Sequence, residues 1–200
     1  MPTDEDVFAV SPDGNYRVRL VPDDYPENPR KEFNHLATMV CFYSRYDLGD
    51  KHSYSSSEFI EEILEEHKPD GVWMLPLYLV DHGCLTISTG NSMFQACDSE
   101  GWDWGCIGCI FVSKVAIREE FGDLPSGKLQ EKAIALLESE VREYRQYLEG
   151  DVWGWVVEKK CGECGKWKQE DSCFGYYGLE FAKTEAESML DYYAKLEVEE

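Results

Sequence analysis

VWMLPLYLVDHGCLTIST, residues 72–89, sets two β-forming runs on either side of Asp81-His82-Gly83. Both runs are rich in branched, aliphatic and aromatic side chains. The three residues between them are turn formers, with glycine supplying positive φ and aspartate bonding to its own backbone. The stretch therefore predicts a β-hairpin, and with it an antiparallel sheet. Its apolar run is too short to span a bilayer and contains Pro76.

Other strands follow outward from this hairpin. VFAV and NYRVRLV, residues 7–10 and 15–21, flank the turn signal Pro12-Asp13-Gly14. HLATMVCFYS (35–44), GCIGCIFVS (105–113) and DVWGWVVEK (151–159) read as further strands. Three segments read as helices. One follows Ser55. A second spans 126–150, where Leu129, Ala133, Ile134, Leu137, Val141, Tyr144 and Leu148 recur at helical spacing and Gly150 ends the run. The third covers about Leu179 to Leu196. The helices interrupt the strands without a regular βαβ rhythm. The expectation is one α+β domain over residues 1–200, a largely antiparallel sheet with about three helices packed on it.

Charge sets the chain apart. Forty Asp and Glu against nineteen Lys and Arg leave a net charge of -21, about one uncompensated negative charge per ten residues. A field of that sign opposes direct binding to nucleic acid or an anionic membrane and attracts cationic surfaces. With 43% hydrophobic and 14% aromatic residues, the composition is that of a globular protein. The N-terminal MPTDEDVFAV has no basic region ahead of an apolar core, so a cytoplasmic location is expected.

Much of this charge gathers in SSSEFIEEILEEHKPDG, residues 55–71. Ser55 and Glu58 have capping-box spacing, and Phe59, Ile60, Ile63 and Leu64 form an apolar face. Glu58, Glu61, Glu62, Glu65, Glu66 and Asp70 occupy the rest. Glu65 and Glu66 oppose the helix dipole at a cost of about 0.3–1 kcal/mol each. Like-charge pairs four residues apart add about 0.2–0.5 kcal/mol each. A cationic partner would relieve these costs, so these six residues form a candidate partner-binding stripe. Glu138, Glu140, Glu143, Glu185, Glu187, Asp191, Glu197, Glu199 and Glu200 are candidates to extend it. A solvated acidic surface, or adaptation to high salt, is the alternative.

Eight cysteines in a cytosolic chain point to thiols or metal ligands rather than a disulfide framework. KCGECGKW carries Cys161 and Cys164 among glycines, as a metal knuckle requires, and Cys173 is a candidate third ligand, with Cys97, Cys106 or a histidine as the fourth. Two readings stand: a structural zinc, or a tight turn with reduced thiols. Cys106 and Cys109 have the same spacing inside an apolar strand. There, residues three apart point to opposite faces, and small buried thiols are expected.

Asp81 and His82, with Asp47, Asp50 and His52, have the residue types of an acid–base or metal site. They define the alternative function, a metal-dependent hydrolase or nucleotide-processing enzyme. No phosphate-binding glycine loop, nucleophile elbow or HExxH accompanies them.

NPRKEFNHLATMVCFYSRYDLGD, LPLYLVDHGCLTIST and DSCFGYYG resemble an uncharacterised family of small acidic proteins encoded by phages and bacterial mobile elements, over much of residues 28–178. Where that family reads WDSGQVGF, this chain has WDWGCIGCIF. The resemblance implies a phage setting, in which acidic cytoplasmic proteins of the anti-restriction and anti-CRISPR type act as DNA mimics. Charge and resemblance together lead to the expectation of a non-enzymatic inhibitor. Its partner would be a basic, nucleic-acid-binding host protein such as a CRISPR effector or restriction enzyme.

Overall fold

The hairpin at 72–89 forms in the computed structural model, which describes residues 7–97 and 103–196. Strand β4 (Val72–Asp81) pairs antiparallel with β5 (Leu85–Ser88), from Tyr78 opposite Ser88 to Asp81 opposite Leu85. The class is α+β. Where the sequence suggests one sheet and about three helices, the described residues form two antiparallel four-stranded sheets and six helices. The backbone groups into two compact units. Asn28–Glu149 is inserted in the sequence between the two parts of the other, Met1–Glu27 and Gly150–Glu200. No helix among the described residues is long and apolar enough to cross a membrane.

In the inserted unit the strand order is β3 (Thr38–Cys41), β6 (Trp104–Ser113), β4, β5. Its helices are α1 (Pro29–Glu32), α2 (Phe59–Glu66), α3 (Ser92–Cys97), α4 (Lys114–Phe121) and α5 (Ser126–Glu149). Helix α5 covers one face of the sheet. Its Leu129, Ala133, Leu137, Val141 and Tyr144 are buried with Met39, Leu77, Ile87 and Ile110. Helix α2 covers the other face, where its fully buried Ile63 meets Val40, Cys109 and Phe111. Burial of Ile63 contributes about 1.5–3 kcal/mol. Helices on both faces explain why β3 and β6 read as continuous apolar runs rather than alternating ones.

One charged hub ties this unit together. Arg30, whose side chain is 1% exposed, bonds to both oxygens of Asp50 and to Glu140, the latter at 2.7 Å. Its guanidinium also donates to the Ala37 carbonyl at 2.8 Å. The second Glu140 oxygen accepts the Leu36 and Ala37 amides, and Asp50 accepts the Met39 amide. Every member of this buried network is paired, as a desolvated charge must be.

The other unit has strand order β1 (Val7–Val10), β2 (Tyr16–Pro22), β7 (Val152–Lys160), β8 (Trp167–Tyr177), with helix α6 (Leu179–Leu196) on one face. Tyr16, Val18, Trp155 and Val157 pack there against Ala186 and Leu190. On the opposite face Glu158 is buried with Arg17 at 2.6 Å and Arg19 at 3.3 Å. Residues 167–177, assigned to no element from the sequence pattern, form strand β8. Its sequence, WKQEDSCFGYY, is polar because it is an edge strand; the ladder with β7, from Trp167 opposite Lys160 to Tyr177 opposite Val152, holds it.

Candidate functional site

Helix α2 carries the candidate stripe. Phe59 and Ile63 face the sheet and fix the helix, which leaves its outer side to charge. Glu58, Glu61, Glu65, Glu66 and Asp70 are exposed and Glu62 is half-buried. Ile60 and Leu64, expected on the buried face, are 44% and 46% exposed. They stand outside the core one turn apart, each followed in sequence by a glutamate, Glu61 or Glu65.

The start of α2 corrects the capping-box reading. The helix begins at Phe59, and Glu58, at the N-cap, makes no side-chain capping bond. The Ser55 amide instead donates to Glu62 at 3.1 Å, and the Ser55 and Ser57 hydroxyls share a bond of 3.0 Å. Local partners that pattern reading did not identify offset part of the helix's repulsion. Tyr54 donates its hydroxyl to Glu66 at 2.7 Å, Lys68 pairs with Glu65, and Arg118 reaches Asp70 at 3.0 Å. Burial, then the bond to Glu66, pushes the Tyr54 phenol up to about 12. At the C-terminal end, His67 Nδ1 lies 2.9 Å from the Ile63 carbonyl.

The expected extensions of the stripe separate. Glu140 is buried in the Arg30 hub, and Glu143 pairs with His35 at 2.9 Å. Glu138 is exposed on α5, on the sheet face opposite α2. Glu185, Glu187 and Asp191 stand on α6 in the other unit. Glu197, Glu199 and Glu200 lie outside the described residues.

The cysteines also sort by backbone. Cys161 and Cys164 occupy the turn between β7 and β8. Cys173 sits along β8 opposite Trp155, six residues from the start of that strand or about 20 Å. Its thiol donates to the Phe174 carbonyl at 3.8 Å. The side chain of Cys97 lies outside the described residues. Among the described residues no three His, Cys, Asp or Glu side chains gather to hold a metal ion. Bonds from the Cys164 amide and thiol, then from the Glu163 amide, hold the Cys161 thiol below its usual range.

Cys106 and Cys109 overturn the opposite-face argument. Gly108 pairs with Leu77 and Cys106 with Tyr78, so Ile107 is an extra residue in β6. The bulge resets the alternation. Ile107 and Ile110 then face α5, while Cys109 and Cys106 share the other face, opposite Pro76 and Tyr78. Gly108 permits it: its φ is +155°, and a Cβ there would lie 1.9 Å from the Val40 carbonyl oxygen. Cys109 is buried as expected and Cys106 is exposed.

The structure separates Asp81 and His82 from Asp47, Asp50 and His52. Tyr43 and Arg45 both bond to Asp81, at 2.6 and 2.8 Å, and those bonds hold its carboxyl below the usual range. His82 points to Asp103 at 3.1 Å, largely in solvent. Asp47 pairs with Lys31, and Asp50 belongs to the Arg30 hub. His52 Nε2 donates to the Cys41 carbonyl at 3.1 Å, leaving Nδ1 buried without a partner. Asp47, Asp50 and His52 line one cavity of about 400 Å³ together with Cys41 and Tyr43; neither Asp81 nor His82 lines it. No family model, curated protein or solved structure matches the chain.

Proposed function

We propose that this is a non-enzymatic inhibitor that presents α2 to the cationic nucleic-acid cleft of a host defence protein, of the CRISPR-effector or restriction-enzyme kind. The reading draws on the phage-family resemblance for its setting and on α2 for its mechanism. The observation that carries it is charge density. Residues 58–66 span about 12 Å of helix axis and bear five glutamates, about one charge per 2.4 Å. With Lys68 counted against Glu65, four charges remain, about one per 3 Å. Phosphates follow one another along a DNA strand at about 3.4 Å. A cleft built to neutralise phosphates therefore meets a comparable line of carboxylates. Ile60 and Leu64 add exposed apolar area along one edge of that line.

The test is displacement of labelled duplex from a panel of restriction enzymes and DNA-bound CRISPR effectors. At least one member should release its nucleic acid at low salt, and displacement should weaken steeply as ionic strength rises. The variant Glu61→Lys/Glu62→Lys/Glu65→Lys/Glu66→Lys should lose displacement while remaining folded by circular dichroism. Displacement by this variant equal to the parent's would rule out α2 as the contact surface.

A further inference from the structure

The tip of the β7–β8 hairpin holds chemistry that an acidic inhibitor does not use. Residues 161–166 join the last paired residues, Lys160 and Trp167. The Cys161 amide donates to the Lys166 carbonyl and the Gly165 amide to the Cys161 carbonyl, both at 2.8 Å. Gly165, at φ +69°, turns the chain back. This closed turn holds Cys161 at its start and Cys164 just before Gly165. Two thiols three residues apart on one tight turn supply half of a tetrahedral thiolate site. The soft donors and the fixed spacing are both present.

The surrounding charge fits the same centre. Between residues 159 and 168 stand Lys159, Lys160, Lys166 and Lys168 against Glu163 alone, a local balance of 4 − 1 = +3 in a chain of net charge -21. A divalent ion with four thiolates is a dianion, and the positive balance of this segment is opposite in sign. Cys164 and Lys166 are exposed and Cys161 is half-buried, so the tip is open to a second molecule. Cys173 is held elsewhere on β8, and no third donor joins the pair among the described residues.

We propose that Cys161 and Cys164 bind Zn²⁺ jointly with the same two cysteines of a second copy of this chain, bridging two hairpin tips in a two-fold symmetric Zn(Cys)₄ centre. The contact is isologous: each copy offers the same patch and receives the same patch. Four thiols release four protons to solvent as four zinc–sulfur bonds form, and no electron is transferred. The site does not depend on any role of α2.

Metal-stripped, fully reduced protein titrated with Co²⁺ tests this. Thiolate-to-cobalt charge transfer and the intense visible bands of tetrahedral cobalt should saturate at about half an ion per chain. Sedimentation should shift from monomer to dimer over the same range, and Zn²⁺ should bleach the colour while preserving the dimer. Cys161→Ser and Cys164→Ser should each abolish both signals while matching the parent's metal-free unfolding midpoint. Cys173→Ser should retain both. Saturation at one ion per chain without dimerisation would overturn the proposal. So would loss of the bands in Cys173→Ser, or their absence from the parent.

Discussion

Cys106 and Cys109 lie within β6, Cys161 and Cys164 in the turn between β7 and β8, and the same spacing yields two different environments. In β6 a bulge brings the pair onto one face, but Cys109 is buried against Val40 and Phe111, and burial pushes its thiol up to about 12. In the hairpin turn, amides converge on Cys161 and lower its thiol. Both backbones need glycine, for opposite reasons. Gly108 lets β3 approach closely, whereas no atom lies within 4 Å of a Cβ built at Gly165. Spacing alone therefore does not define the chemistry of a CxxC pair. What the amides between the cysteines bond to does.

The strongest way to break this contrast is at the glycines. Gly108→Ala drives a methyl into the Val40 carbonyl at a positive φ, and the structure offers no flexible neighbour to yield. The expected loss is about 3 kcal/mol. Gly165→Ala meets only the intrinsic cost of left-handed backbone, about 1 kcal/mol. Urea denaturation of both variants measures the difference. Equal losses would mean that the β6 bulge is not under the constraint described.

These two glycines also mark how far the sequence could be read. The hairpin at 72–89, the face of α5 and the span of α6 were legible because apolar periodicity over a long run reports a buried face directly. The bulge at Ile107 was not, since an extra residue leaves no trace in composition, and the alternation rule then assigns Cys106 to the wrong face. Strand β8 was hidden by its polar edge. The Arg30 hub joins residues 20 and 110 positions apart, beyond any local pattern. At the candidate interface the glutamates were legible by count, and the cationic hairpin tip was available in the same way from four lysines in ten residues. The exposure of Ile60 and Leu64 depends instead on how α2 rolls onto Ile63, and Glu140 could be separated from the acidic stripe only once Arg30 was placed beside it.

A smaller effect is expected at the buried thiol. Cys109→Ser places a hydroxyl where the thiol was nearly apolar, at an expected cost of about 1–3 kcal/mol. The pH dependence has a definite sign. An unfolded cysteine ionises near about 8.5, while folded Cys109 holds its proton to about 12. Between those values the folded state binds more protons, so stability falls as pH rises. Burial also pushes Cys41 to about 12 and adds to the same decline. Cys109→Ala should flatten the alkaline slope by the share of one proton in denaturation series above about pH 8.5. An unchanged slope would show that Cys109 does not retain its proton.

Smallest of all is the expected effect of Cys161→Ser on metal-free stability. The side chain lies in an open turn, and the Cys161 amide and carbonyl that close the turn are backbone groups, unaltered by the substitution. A change within about 0.5 kcal/mol is expected. Linkage has the opposite sign here, because the folded thiol ionises below its usual value: its contribution is present above the unfolded pKa and is lost as pH falls through the folded one. Reactivity separates the two pairs more sharply than stability does. Iodoacetamide attacks thiolates, so in native, chelator-treated protein at neutral pH Cys161 should be alkylated well before Cys109, and denaturant should remove the difference. If Cys109 reacts as fast as Cys161 in the native protein, the two pairs do not differ in the way their backbones indicate, and the amides around Cys161 do not set its reactivity.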